Sequence, residues 1–445
     1  MFIAHATAIA LTAVAAEPAA PTVLWKVPLG STSFGGSAIA DADGDGRPDI
    51  AFGTYFGDSK VRVLRGHDGS ELWHYDAGMA CLDASCRFVD LDGDSKPELV
   101  IPISNYSRVL AFDGASGTLK WTCQLPAPEC IDTPPWIGEL DGRVQIAVGT
   151  FRGNVHLINA ADGTLARTLH VAPGAVQSCP VIMDVNADGA ADIIAGNFKG
   201  DNRLHCVSGK DGSELWSVQT GSHMYHGPAV ADLDGDGEQD LAFDSYDGKV
   251  YACRASDGKL LWKASPGDQY FMAPATIVDA DADGSPDVIV TSDRITALRG
   301  RDGSVIWSVP ANPGSPTGEV SRGVAVADLD GDGAPDLAYL TATGLFRVLR
   351  ASNVVAVYEL DVAKATGTAS RSGAHGPAIA DLNGDGTLDV FLVIGEPAGP
   401  PGYDKGNGMA VCVSGFAGKE SPKNPGWPTF RHDAHNTGNA MLPLK

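Results

Sequence analysis

One acidic loop recurs along nearly the whole chain, and its period decides the fold before any local reading does. The clearest copy runs Asp328-Leu-Asp-Gly-Asp-Gly-Ala-Pro-Asp336 and is followed by the apolar stretch 337–340. Carboxylates at positions 1, 3, 5 and 9 with glycine at position 6 are what a hard cation needs from a tight turn. Alternate side chains converge on the ion, the carbonyl of position 7 adds an oxygen, and glycine permits the sharp bend. A single copy would be a modest signal, because Asp-Gly clusters also make ordinary turns. Here copies start at 41, 90, 139, 184, 232, 279, 328 and 381, so neighbours lie 45 to 53 residues apart.

Seven of these copies are intact. Their candidate metal ligands are Asp41, Asp43, Asp45 and Asp49, then Asp90, Asp92, Asp94 and Glu98, then Asp184, Asn186, Asp188 and Asp192. The later sets are Asp232, Asp234, Asp236 and Asp240, then Asp279, Asp281, Asp283 and Asp287, then Asp328, Asp330, Asp332 and Asp336. Asp381, Asn383, Asp385 and Asp389 complete the series, while the third copy, Glu139-Leu-Asp-Gly-Arg143, has lost its later ligands. Calcium is the expected ion. Magnesium is the alternative, and it prefers to keep more of its waters than such flexible, carboxylate-rich loops allow. The bland reading is a set of turns stabilised by their own Asp side chains. Each loop leads into a strand rather than a helix, which disfavours a helix-flanked calcium switch.

A second element keeps the same period. Trp73, Trp121, Trp216, Trp262 and Trp307 each come after a turn built on Asp-Gly or Ser-Gly, a hairpin signal before alternating apolar residues, and Trp25 stands alone near the start. We read these tryptophans as packing wedges between neighbouring units. Each unit then reads as four short strands, with small and β-branched residues in the first. The chain is expected to be all-β, an eight-bladed β-propeller of four-stranded antiparallel blades. The strand around Trp25 should complete the eighth blade and hide two sheet edges. A seven-bladed ring is the alternative, and it would require the third unit to be a loop although its flanking strands are intact.

Three segments are expected. Residues 1–16 have the short apolar, small-residue composition of an export signal, without Lys or Arg ahead of it, and a buried N-terminal helix is the alternative. Residues 21–418 form the propeller, and 419–445 a Pro-, Asn- and Gly-rich tail. The net charge of -23 is largely local to the loops. Seven divalent ions would add +14 and leave about -9, which disfavours nucleic acid and anionic membranes as partners. No stretch is long and apolar enough to span a bilayer. The protein is expected to be secreted, periplasmic or at the cell surface, and monomeric. With eight cysteines in such a setting, local bridges Cys81–Cys86 and Cys123–Cys130 are expected, and Cys206, Cys253 and Cys412 read as buried thiols.

If the strands alternate, the acidic loops share one face and the more varied loops share the other. The varied loops carry Phe34, Tyr55, Phe56, His223, Tyr225, His226, Tyr270, Phe271, Arg322, Arg371 and His375. Of these, His223, Tyr225, His226, Tyr270, Phe271, Arg322, Arg371 and His375 are the candidate ligand-binding residues, since aromatic and Arg side chains on loops over a rigid scaffold suit recognition. The competing reading is that several of them merely plug the central channel.

The repeated Asp-x-Asp-Gly-Asp-Gly-x-x-Asp followed by an apolar strand resembles the FG-GAP/VCBS repeat family, whose calcium loops also occur in integrin α-subunit propellers. The Asp-Gly-x-x-x-Trp units resemble those of PQQ-like propellers, and the tail segment 426–438 is similar to one common in secreted bacterial members of both groups. This resemblance implies calcium-stabilised blades, export, and binding or adhesion without naming a ligand. Three functions are open, in this order. The first is a non-enzymatic module that binds a glycan or a surface protein. The second is a polysaccharide-active, lyase-like enzyme in which His223, Tyr225, His226 and Arg322 would act. The third is a PQQ-dependent dehydrogenase, against which stands the lack of the adjacent cysteine pair those enzymes share.

Overall fold

The computed structural model describes residues 20–267, 273–315, 318–368, 372–373, 375–397, 406–433 and 435–442. The expected export signal at 1–16 lies outside the described residues, as do Tyr270, Phe271 and Arg371. The strands form eight separate four-stranded antiparallel sheets, one per repeat. They are the blades of an eight-bladed β-propeller. Blade 1 comprises Ala38–Ala40, Asp49–Gly53, Lys60–Arg65 and Glu71–Asp76 from axis to rim. Blade 8 is built from both ends of the chain: Ala378–Ala380, Asp389–Glu396 and Asn407–Ser414 accept Thr22–Leu29 as the outer strand. Trp25 pairs with Cys412 and Val27 with Ala410, so the ring closes by hydrogen bonds between the two termini. Among the described residues no helix is long and apolar enough to cross a membrane.

The tryptophans are inter-blade wedges. Trp73 in the outer strand of blade 1 donates its indole N–H to the Gly114 carbonyl of blade 2 at 2.7 Å. Trp25 does the same to Gly66 at 2.6 Å, Trp216 to Ala255 at 3.0 Å and Trp262 to Gly300 at 2.6 Å. The Asp-Gly or Ser-Gly turn of the next blade completes each contact. Gly69 has φ +72°, and a Cβ there would stand 2.6 Å from the Trp25 ring, so the turn needs glycine both for its backbone and for the indole.

The degenerate third copy keeps its strands. Trp136–Leu140 and Arg143–Gly149 pair directly, Leu140 against Arg143, around Asp141 and Gly142 with φ of 52° and 72°. Two consecutive positive φ values make a two-residue hairpin turn matched to strand twist, too short to wrap an ion.

The expected disulfides are not formed: all eight cysteines are free thiols. The reason is direction. Cys86 is wholly buried toward blade 1, where its thiol meets the Ala51 carbonyl at 3.2 Å. Cys123 packs inside the blade 2–blade 3 core with Val109 and Ile131, whereas the Cys130 thiol meets Asp132 Oδ1 at 3.3 Å. Cys206, Cys253 and Cys412 are fully buried.

The tail runs through the central channel. Ile39 N–H donates to the Pro428 carbonyl, and Trp427 exchanges both backbone bonds with Ile379. Farther on, Val230 N–H donates to Thr437 and Ile277 N–H to Gly438. Innermost strands of blades 8, 1, 5 and 6 thus gain partners on the axis, where a bare channel would leave their backbone groups to water. Phe430, Arg431, His432, Asp433 and Asn436 are buried there.

Candidate functional site

The acidic loops occupy one face and are pre-shaped by their own backbones. In the 328–336 loop, Gly331 and Gly333 N–H donate to the two oxygens of Asp328 at 2.7 and 2.9 Å, Ala334 donates to Asp332, and Leu329 donates to Asp336. The same pattern recurs around Asp41, Asp90, Asp232 and Asp381. Five loops bring three carboxylates together with oxygens within 4.8 Å of one another: Asp41/Asp43/Asp45, Asp90/Asp92/Asp94, Asp232/Asp234/Asp240, Asp279/Asp281/Asp287 and Asp328/Asp330/Asp332. In the other two intact copies Asn186 and Asn383 stand at position 3.

These clusters carry uncompensated charge. Burial, reinforced by neighbouring carboxylates, pushes Asp49, Asp240 and Asp287 up to about 6 and Asp336 up to about 7. Asp240 Oδ1, Asp281 Oδ1 and Asp336 Oδ1 have no hydrogen-bond partner among the described residues. Crowded, desolvated carboxylates with orphaned oxygens fit a divalent cation. Basic side chains orient the sets from outside: Arg65 reaches Asp43 at 3.3 Å, Arg299 reaches Asp281 at 3.0 Å, and Arg350 reaches Asp330 at 2.6 Å. In three blades one basic side chain meets two candidate ligands at once: Lys120 meets Asp92 at 2.6 Å and Glu98 at 2.7 Å, Arg299 also reaches Asp283 at 3.3 Å, and Arg350 also reaches Asp332 at 3.1 Å.

The opposite face surrounds the mouth of the channel. Phe34, Asp83, Asp132, Gln177 and Tyr225 each stand four residues before the innermost strand of their blade, so five successive blades place them in one arc. With Arg322 and His226 they line a cavity of about 20 Å³, floored by Phe430 of the tail. Arg322 crosses toward blade 1, donating Nε to the Phe34 carbonyl at 2.7 Å, while its Cζ lies 5.8 Å from the Tyr225 ring.

Several groups here lack partners among the described residues: Asp83 Oδ1, Gln177 Oε1, Arg322 Nη1 and both ring nitrogens of His226. Burial raises the Asp83 carboxyl, helped by the charge of Asp132, and burial raises Asp132 as well. Burial first, then Arg322 and Arg431, holds the His226 imidazole neutral, well below its usual range.

Beside the cavity lies an aromatic platform. Phe198 meets His223 edge-on at 4.5 Å and Tyr225 at 5.7 Å, and His223 lies 4.3 Å from Tyr246. All four are partly exposed, and Lys199 lies over Phe198. The structure therefore gathers His223, Tyr225, His226 and Arg322 into one region. His375 lies near Arg322 but is buried rather than facing the cavity: it is 1% exposed, without a hydrogen-bond partner among the described residues, and packed edge-on to Phe391. Sequence reading missed Asp83, Asp132, Gln177, Phe198 and Tyr246. Aligning the innermost strands would have exposed the first three.

Comparison with known families agrees with this architecture. A family model described as an FG-GAP-like repeat matches residues 24–101 and 279–339. Those two segments carry FG-GAP-like repeats. Residues 105–282 match a model described as outer membrane protein assembly factor BamB, so PQQ-type propeller features stand beside the FG-GAP-like segments. No curated protein matches the chain. Among solved structures, the V. cholerae biofilm matrix protein Bap1 is similar at TM-score 0.66 and 14% identity, over 92% of this chain and 94% of that one. BamB from Moraxella catarrhalis is similar at TM-score 0.54 and 15% identity, over 88% and 99%. Quinohemoprotein alcohol dehydrogenase ADHIIG from Pseudomonas putida HK5 is similar at TM-score 0.59 and 13% identity, over 93% and 79%. At such identities the likeness is one of fold.

Proposed function

We propose that this FG-GAP-like propeller is an exported, calcium-stabilised binding module that takes a glycan on the face opposite its acidic loops. The observation that carries the reading is the platform of Phe198, His223, Tyr225 and Tyr246. Partly exposed rings held by a rigid scaffold offer flat apolar area with polar edges, which suits a sugar ring at low entropic cost. The acidic loops supply the complementary half, since ions that bind only the folded ring hold its blades together. Likeness to Bap1, a biofilm matrix protein, is compatible with an adhesive role, as the BamB-like match is with a place outside the cytoplasm. A glycan array probed with the protein in calcium-containing buffer tests the reading. Binding to a defined glycan class, lost in Tyr246→Ala, supports it. Retention only by a surface protein would replace the glycan with a protein ligand, and release of an unsaturated sugar product would replace the module with a lyase.

A further inference from the structure

We infer that the cavity at the channel mouth is a socket for a primary ammonium group, and that the sugar recognised is a hexosamine with a free amino group. This rests on the glycan reading above and names the substrate class for the same face.

Size is the first constraint. A cavity of about 20 Å³ holds one water-sized group. An ammonium is that size and has three donors and no acceptor. Acceptors converge on the space: Asp83 Oδ1 and Gln177 Oε1 lack partners among the described residues, and the Asp132 carboxylate lines the same wall. Gln177 and His226 are each only 7% exposed, so their unmet polar atoms are turned inward rather than solvated. Buried polar atoms of this kind cost free energy until something pairs with them.

Charge gives the same answer. Two carboxylates, Asp83 and Asp132, face one cation, Arg322, across the cavity. One further positive charge balances the set and would hold both carboxyls ionised against the burial that raises them. Arg322 Nη1, the unmatched donor, suits the oxygen of a hydroxyl next to the amine. Tyr225 also belongs to the platform with Phe198, so an amino group in the socket leaves its sugar chain against the exposed rings. An N-acetylated sugar fits badly, because its amide has one donor and is larger than the socket.

The test is calorimetric titration of the full chain with a short glucosamine oligomer, its fully N-acetylated counterpart, a lysine oligopeptide and calcium chloride. The free-amine oligomer should bind at least about ten-fold more tightly than the acetylated one, the worth of one charge-assisted hydrogen bond. Asp83→Asn and Asp132→Asn should each abolish that preference. Equal binding of the two oligomers overturns the socket and leaves the glycan reading standing. Equal or tighter binding of the lysine peptide overturns the hexosamine assignment, and competition by calcium at this site overturns the ammonium socket. If neither sugar binds, the glycan reading itself fails.

Discussion

Arg87, on the innermost strand of blade 2, grips the tail at Phe430. Its Nη2 donates to the Phe430 carbonyl at 2.8 Å and to Asn436 Oδ1 at 2.6 Å, while Nη1 donates to Thr429 Oγ1 at 2.7 Å. The guanidinium is only 2% exposed, so these bonds form where water cannot replace them. Arg87→Met keeps the stem and removes the donors, stranding tail acceptors on the axis. We expect a loss of about 1.5–3 kcal/mol in urea denaturation and faster proteolysis of the tail. An unchanged midpoint would mean that the tail is held by its strand pairing alone.

The wedges give a paired test. Trp73 bonds to Gly114 in the next blade, whereas the Trp307 indole N–H has no partner among the described residues. Phenylalanine at either position keeps most of the packing. Trp73→Phe should therefore cost about 0.5–1.5 kcal/mol more than Trp307→Phe, read from chemical denaturation of both variants. Equal losses would show that packing, not the hydrogen bond, joins the blades.

Blade number, ring closure and the acidic face were all legible in the repeat, because each blade reports the same residues at the same offsets. The tail's course was not legible. Gly426, Pro428 and Asn436 read locally as loop, and their partners are innermost strands in distant blades, which no local pattern encodes. The mouth escaped for another reason. Asp83, Asp132 and Gln177 differ in type and share only an offset, so chemistry alone does not group them. Cysteine spacing misled because closeness in sequence says nothing of side-chain direction, and Cys86 and Cys123 both point into blade interfaces.

In acid the buried imidazoles work against the fold, while the raised carboxyls of the acidic loops work in its favour, so the histidine contribution is read by substitution. Burial, then the charge of Arg322, lowers His375 to about 3. A histidine neutral in the fold but able to protonate when unfolded contributes stability that is complete above about 6.5 and is lost as pH falls toward 3. Near full slope this is about 1.36 kcal/mol per pH unit. His375→Leu, similar in bulk, should flatten the stability profile between pH 6.5 and 5 relative to the unsubstituted protein. Parallel profiles would show that His375 binds protons equally in both states.

Calcium should stabilise the ring site by site. At millimolar calcium and a Kd near 10⁻⁴ M, each occupied loop adds about 1.4 kcal/mol. Asp332→Ala should remove one bound ion by metal analysis and lower the melting temperature in calcium. Asp141→Ala, in the two-residue hairpin of blade 3, should leave the ion count unchanged. Chelator should shrink the difference between Asp332→Ala and the unsubstituted protein to what the Ala334 hydrogen bond and the Arg350 ion pair contribute. Protein purified from calcium-containing buffer yet free of the metal would contradict the assignment.

Recognition is assigned to the channel-mouth face and metal to the opposite one. The sharpest measurement of that division is the affinity of the array-selected glycan for two variants, Tyr225→Ala and Asp332→Ala, each with its bound calcium counted. Tyr225→Ala should weaken binding by roughly 1–3 kcal/mol with every ion retained, and Asp332→Ala should lose one ion while binding as before. Intact binding in Tyr225→Ala, together with abolished binding in a folded Asp332→Ala, would contradict this and make the acidic face the working surface.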